Sequence, residues 1–190
     1  MRLFISVDLD TPDQLTAAQQ PFADADGLRL TDPEQAHITL KFLGEVPESR
    51  IPTISEAVRE AVNKSGVPPF SLELGGLGVF PDPSYVRVIW LGVTRGKTEL
   101  TRLHEAIERE LTACGFDPEE HEFTPHVTLA RMEHAASKTL VQEALEREHP
   151  TVTPQQVSAV SLTESILTTA GPEYRTIERV SLSGDKTSKG

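Results

Sequence analysis

Two histidines begin nearly identical tetrapeptides in this chain of 190 residues. Residues 37–40 read HITL and residues 126–129 read HVTL, so the two copies stand 126 − 37 = 89 positions apart. Histidine is the side chain whose ordinary pKa lies close enough to neutrality for one copy to accept a proton while another donates one. Two imidazoles brought together can therefore supply the base and the acid of a single reaction.

The residue types around each histidine indicate that the reaction involves a phosphate ester. On an extended strand, side chains alternate, so His37 and Thr39 share one face and His126 and Thr128 share another. The intervening apolar residues can pack beneath helices, which leaves the polar pairs to face a common cleft. A threonine hydroxyl there can bond a phosphoryl oxygen and hold it between the rings. The pattern predicts metal-free cleavage of a phosphodiester with His37 and His126 as catalytic residues.

Metal catalysis is the competing hypothesis, and the sequence disfavours it. A catalytic zinc ion usually takes three protein ligands, and neither motif carries a nearby carboxylate on the face of its histidine. The single cysteine, Cys114, excludes an internal disulfide and is typical of a reducing cytoplasm. We therefore expect no metal and no cofactor.

An internal repeat predicts the architecture. The offset of 89 also relates Pro83 to Pro172 and Tyr85 to Tyr174, as expected for a duplicated unit. Several predicted strands are joined by short turns, which favours antiparallel pairing. We predict an α+β fold of two pseudo-symmetric lobes, each an antiparallel sheet with helices on its outer face, and an active-site cleft between them. Residues 1–184 would form this single bilobal domain, and residues 185–190 a flexible tail.

Hydrophobic periodicity places the elements of that fold. The predicted strands cover residues 3–9, 36–43, 70–77, 85–93, 123–131, 157–162 and 174–182. The predicted helices cover residues 13–22, 48–64, 98–114 and 137–148. The longest apolar runs fall short of the roughly 20 residues that would span a bilayer, so we expect no membrane association.

The paired motifs make the chain resemble the two-histidine (2H) phosphoesterase superfamily, whose signature is two His-x-Thr-x motifs. Within it, the chain is most similar to the RNA 2′,3′-cyclic phosphodiesterases, long called 2′-5′ RNA ligases. The similarity extends over nearly the whole chain. It is carried by MRLFI at 1–5, HITLKFLG at 37–44, VIWLGV at 88–93, PHVTLAR at 125–131 and GPEY at 171–174.

The resemblance implies hydrolysis of an RNA-terminal 2′,3′-cyclic phosphate to a 2′-phosphomonoester without a cofactor. It implies that His37 donates a proton to the leaving 3′-oxygen, that His126 activates water, and that Thr39 and Thr128 bind phosphate oxygens. The spacing alone does not distinguish the acid from the base. Ligation through a 2′-5′ bond, or binding of RNA ends without turnover, are the alternative functions.

Two basic residues and three aromatic ones are secondary candidates. Lys41 shares the face of His37 if the strand is regular, where it would hold substrate phosphate or be a solvated lysine. Arg131 has the opposite parity to His126 and reaches the cleft only if the strand ends or bulges, although the family pattern favours it. Aromatic side chains could stack on a base, but we expect core packing for Phe42, Tyr85 and Tyr174.

The charge balance limits the partners. The net charge of −11 disfavours extended binding along a nucleic-acid backbone at low salt. The resemblance implies RNA ends or small nucleotides bearing a cyclic phosphate as partners. The acidity fits either an ordinary acidic protein or one from a salt-rich, halophilic cytoplasm, where self-repulsion is screened. We expect a cytoplasmic monomer, since the repeat already supplies both halves of the site.

Overall fold

A computed structural model of the chain describes residues 1–134 and 138–183, and the predicted tail at 185–190 lies outside these. The strands are β1 (Arg2–Asp8), β2 (Leu28–Leu30), β3 (His37–Glu45), β4 (Phe70–Asp82), β5 (Tyr85–Arg95), β6 (His126–Met132), β7 (Thr151–Val157), β8 (Ala159–Thr168) and β9 (Gly171–Ser181). The helices are α1 (Pro12–Gln19), α2 (Ile51–Ser65), α3 (Lys97–Ala113) and α4 (Lys138–Arg147).

The strands form one antiparallel sheet in the order β7-β4-β5-β6-β3-β1-β8-β9, and β2 also pairs with β6. The predicted α+β class, with antiparallel strands and flanking helices, is confirmed. The two halves of the sheet are β7-β4-β5-β6 and β3-β1-β8-β9, and they join where β3 meets β6. The two motif strands therefore lie side by side at the centre of the molecule.

One half of the sheet takes its strands from the middle of the chain, and the other takes them from both ends. β4 lies beside β5 because only a tight turn separates them, which leaves antiparallel pairing as the available arrangement. β8, late in the chain, pairs with β1 at its beginning. The lobes are therefore not successive halves of the sequence, because the chain builds β4 to β7 in one half before β8 and β9 return to the half of β1 and β3.

The helices cover one face of the sheet and leave the other open. Strand residues such as Leu3, Ile5 and Val7 alternate into a buried cluster that they share with the apolar faces of α2 and α3. α2 ends at Gly66, whose φ of +63° favours glycine at a helix C-terminus. A second cluster around Ile89 is completed by residues of α4. The opposite face of the sheet, which we call the histidine face, carries the polar residues of both motifs.

Candidate active site

The two motifs pair directly across the centre of the sheet. Ile38 is the ladder partner of Val127 between β3 and β6, and both side chains are fully buried beneath the helices. Alternation then places His37 and His126 on the histidine face, each opposite the threonine of the other motif. The two histidines are then diagonal neighbours, and such pairs lie about 7–8 Å apart on a sheet, within reach of long side chains. The structure thus brings both histidines and both threonines to one place.

A backbone carbonyl fixes each imidazole in the same way. The Nδ1 atom of His37 lies 2.9 Å from the carbonyl oxygen of Gln35, and that of His126 lies 2.6 Å from the oxygen of Thr124. A carbonyl oxygen only accepts hydrogen bonds, so Nδ1 must carry the hydrogen in both rings. Nε2 is then the atom left to exchange a proton with a substrate.

Aromatic rings enclose the imidazole of His37. The ring of Phe4 stacks on it at 4.8 Å between centroids, and Tyr174 meets it edge-on at 5.1 Å. Phe4 and Tyr174 also contact each other, at 5.2 Å. These rings shield one side of the imidazole from water and restrict its orientation.

A second aromatic group encloses His126. Phe80 meets its ring edge-on at 5.0 Å, and Trp90 lies 5.7 Å away. The indole of Trp90 rests against the backbone of Gly78, where any Cβ would overlap the six-membered ring. Glycine at this position is therefore needed for the indole to lie beside the catalytic candidate.

Burial lowers the pKa of both histidines below the ordinary value of 6.5, and the hydrogen bond to the upstream carbonyl opposes this effect in each ring. The positive charge of Arg131 lowers both pKa values further. Asp8, the ladder partner of His37, acts in the opposite direction on His37. At neutral pH, the free protein therefore holds both rings mainly in the neutral form.

Lys41 does not lie on the histidine face, so the prediction of a regular strand at this point is wrong. The ladder between β1 and β3 skips Leu40, which makes a β-bulge after Thr39 and reverses the parity of the following residues. The Lys41 ammonium is buried beneath the sheet, 2.6 Å from a carboxylate oxygen of Glu108 and 3.0 Å from the carbonyl oxygen of Asp117. It holds the sheet to α3 instead of facing a substrate.

A β-bulge of the same kind in β6 brings Arg131 to the site. The ladder between β5 and β6 skips Leu129, and the resulting bulge turns Arg131 to the face of His126, as the sequence required if this residue was to reach the cleft. Its charge reaches both imidazoles. The residue at the corresponding place in β3 is Phe42, since 42 + 89 = 131, and its ring is 64% exposed.

The expectation of core packing fails for the aromatic candidates. Phe42 and Tyr85 are 64% and 59% exposed, and Tyr174 is 37% exposed while contacting His37. The rings of Phe4, Phe80 and Trp90 were not predicted as part of the site. Phe4 and Trp90 stand in segments that were predicted as strands, but nothing in their spacing points to a histidine that is distant in the chain.

Most of the chain matches a known family. The model of the 2′-5′ RNA ligase superfamily covers residues 11–165. The chain belongs to that superfamily. The resemblance inferred from the paired motifs is thereby confirmed.

Relatives in the superfamily match over most of their length. The chain is 36% identical over 182 residues to an RNA 2′,3′-cyclic phosphodiesterase of Methanothermobacter thermautotrophicus, covering 94% of this chain and 97% of the relative. It is 42% identical over 154 residues to one of Aeropyrum pernix, covering 80% and 85%. Among solved structures, the TT0787 protein of Thermus thermophilus superposes with a TM-score of 0.79 at 29% identity, covering 97% of this chain and 99% of that one.

The described parts of the chain contain neither a metal-binding cluster nor a membrane-spanning helix. Within residues 1–134 and 138–183, no group of three or more His, Cys, Asp or Glu side chains is arranged to hold a metal ion. None of the helices in the same two segments is both long enough and apolar enough to cross a membrane.

Proposed function

We propose that the protein hydrolyses a 2′,3′-cyclic phosphodiester at the end of an RNA to a 2′-phosphomonoester. The observation that carries the proposal is the pair of imidazoles on adjacent strands, each with Nδ1 bonded to a carbonyl and Nε2 left for proton transfer. The relatives named RNA 2′,3′-cyclic phosphodiesterase support this choice of substrate.

The proton transfers follow from the two rings. His126 accepts a proton at Nε2 from water as the water oxygen bonds to phosphorus, and His37 donates its Nε2 proton to the 3′-oxygen as the bond from phosphorus to that oxygen breaks. The ester bond to the 2′-oxygen remains. Burial and the charge of Arg131 lower the pKa of both rings, and the charge of Asp8 opposes this effect at His37, which supports the assignment. His37 is thus the better placed to carry the proton.

The threonine hydroxyls bind the non-bridging oxygens of the phosphate in this proposal. Thr39→Val and Thr128→Val remove one charge-assisted hydrogen bond each at nearly constant volume, so each should lower kcat/KM by about tenfold or more. Steady-state kinetics on a cyclic-phosphate oligonucleotide measures the effect. Thr39→Ser and Thr128→Ser keep the hydroxyl and should retain most of the activity. If valine is tolerated at both positions, the hydroxyls do not contact the phosphate.

The pH dependence follows from the direction of the pKa shifts. Burial, opposed by the carbonyl hydrogen bonds, lowers the pKa of His37 and His126 below 6.5. The active free enzyme needs one ring protonated and one neutral, so kcat/KM should follow a bell-shaped curve with its maximum below pH 6.5. A bound phosphate anion favours the protonated rings and should move the kcat profile to higher pH. A kcat/KM maximum well above 6.5 would contradict this account of the site.

Incubation with an oligonucleotide that ends in a 2′,3′-cyclic phosphate tests the function. The expected product carries a 2′-phosphate and no 3′-phosphate, and a chelator should leave the rate unchanged. A 3′-phosphate would show that the bond to the 2′-oxygen breaks, and the assigned geometry would then be incorrect. Intact substrate recovered in complex with the protein would favour an RNA-end-binding module.

Ligation is the second candidate, and the description of the superfamily favours it. A terminal 5′-hydroxyl can take the place of the attacking water, so that the same rings join two ends through a 2′-5′ bond. Adding an RNA with a 5′-hydroxyl to the incubation separates the two outcomes. Hydrolysis should dominate wherever water is the more abundant nucleophile.

We further propose that the protein acts on RNA ends as a monomer in the cytoplasm. Both histidines come from one chain, so the site needs no second copy. The single cysteine supports a reducing compartment. A salt-rich cytoplasm remains a prediction from the net charge of −11.

A further inference from the structure

A second arginine stands beside Arg131 on the histidine face. β2 pairs with the end of β6 that β3 has left, and Arg29 of β2 is the ladder partner of Arg131. Ladder partners point to the same face of a sheet, with Cα atoms about 5 Å apart. Two guanidinium groups therefore project side by side from adjacent strands.

Neither guanidinium forms an ion pair with a carboxylate of residues 1–134 or 138–183, although acidic residues outnumber basic ones by 29 to 18. Both residues are exposed. Like charges directly opposite on a ladder destabilise it, so the arrangement is unfavourable for the fold alone and favourable once an anion lies between the two groups.

Contact with the opposite half of the sheet keeps Arg29 near the site. Its Nη2 atom lies against Gly171, where a Cβ would be 2.5 Å from that nitrogen. Gly171 has a φ of +120° and begins β9, and three residues later Tyr174 contacts the ring of His37. Arg29 thus lies where the β8–β9 turn approaches β2, beside Arg131 on the histidine face.

We propose that Arg29, together with Arg131, binds the internal phosphodiester that precedes the terminal nucleotide of an RNA. Arg131 then contacts both phosphates, and Arg29 contacts only the internal one. A cyclic mononucleotide has no internal phosphodiester, so the pair selects RNA ends over small cyclic nucleotides. This inference rests on the proposed function, because it takes the reacting phosphate to lie between His37 and His126.

Kinetics with matched substrates tests the inference. The first substrate is an oligonucleotide ending in a 2′,3′-cyclic phosphate. The second has a neutral methylphosphonate at the linkage that precedes its terminal nucleotide, and the third is the cyclic mononucleotide. Arg29→Gln should lower kcat/KM about tenfold on the first, as expected for a lost charge-assisted contact, and less than about twofold on the other two. The exposed Arg95, at the end of β5, provides the control: Arg95→Gln removes the same charge and should change none of the three rates.

A structural role for Arg29 gives a different pattern. If the guanidinium only supports the β8–β9 turn, Arg29→Gln lowers all three rates by the same factor, and the inference is overturned. An unchanged rate on the charged oligonucleotide overturns it as well. Neither outcome affects the proposed function, since the unmodified protein still converts the cyclic phosphate in both cases.

Binding supplies a readout that does not depend on turnover. The probe is an oligonucleotide ending in a 2′-phosphate, titrated at several salt concentrations. Each neutralised phosphate of a single strand contributes about −0.7 to the slope of log K against log salt. Arg29→Gln should therefore make the slope shallower by about that amount with the charged probe and leave it unchanged with the methylphosphonate probe. Equal slopes for variant and unmodified protein would contradict the inference even if neither hydrolyses RNA.

Discussion

Replacing His126 or His37 with alanine is expected to slow the hydrolysis of a 2′,3′-cyclic phosphate by about 10²- to 10⁴-fold while the fold persists. Each ring lies on the open face of the sheet with its Nδ1 bonded to a single carbonyl, so its loss removes a proton-transfer group without opening the buried core. Single-turnover kinetics measures the loss, and thermal unfolding checks that each variant is folded.

The two variants should differ when the leaving group changes. A phosphodiester with p-nitrophenolate as leaving group needs no protonation, so His37→Ala should regain most of its loss on that substrate, and His126→Ala should not. The reverse pattern would exchange the roles of acid and base. Full activity of either variant on the cyclic phosphate would remove that histidine from the mechanism.

Replacing Lys41 with methionine is expected to lower the free energy of unfolding by about 3 kcal/mol and to leave kcat/KM within a factor of about three, because this residue lies behind the sheet. The Lys41 and Glu108 side chains are only 4% and 16% exposed. Burial alone would raise the pKa of Glu108, but the hydrogen bonds from Lys41 and the Glu119 backbone lower it. Removing the ammonium leaves that carboxylate poorly solvated and without its main partner.

Urea unfolding of matched variants measures this effect. Lys41→Met combined with Glu108→Leu removes both charges and should recover most of the lost stability. Lys64→Met is the control, because Lys64 also pairs with a glutamate of α3, Glu110, but is 54% exposed, and surface pairs contribute less than about 1 kcal/mol. If Lys41→Met leaves the stability unchanged but greatly lowers activity, Lys41 contacts the substrate and its structural role is contradicted.

The centre of the site could be predicted from the sequence because the signal is local and repeated. A polar residue at every second position of an otherwise apolar strand predicts which face His37 and Thr39 occupy, whatever the rest of the chain does. The second copy at an offset of 89 predicts that a similar strand exists. The pairing of Ile38 with Val127 then places the two predicted faces side by side.

The face of the sheet on which Lys41 and Arg131 lie could not be predicted in the same way. One inserted residue in each motif strand, at Leu40 and at Leu129, moves Lys41 to the helix side and Arg131 to the histidine side. A bulge arises from the match between two strands distant in the sequence, so the pattern of one strand does not reveal it. Because both motif strands carry a bulge at the same place, Lys41 and Arg131 both lie on the face opposite to the one that a regular strand would give.

Arg29 illustrates a second limit of the sequence. β2 has only three residues, too few for a period of two to stand out. Its importance comes from pairing with β6, 100 residues further along the chain (130 − 30), and from contact with Gly171 in the other half of the sheet. The contact with Gly171 depends on the return of β8 and β9 to the half of β1 and β3, which tertiary packing determines.

In the proposed mechanism both imidazoles contact oxygens bound to one phosphorus atom, and ¹⁵N chemical shifts of the histidine side chains test this directly. The protein is titrated with a uridine–vanadate complex, which mimics pentacoordinate phosphorus, and the signals are assigned with His37→Asn and His126→Asn. We predict that the Nε2 signals of His37 and His126 shift together along a single binding curve, while those of the other histidines stay in place. A shift confined to one of the two rings, or two curves with different affinities, would contradict the account.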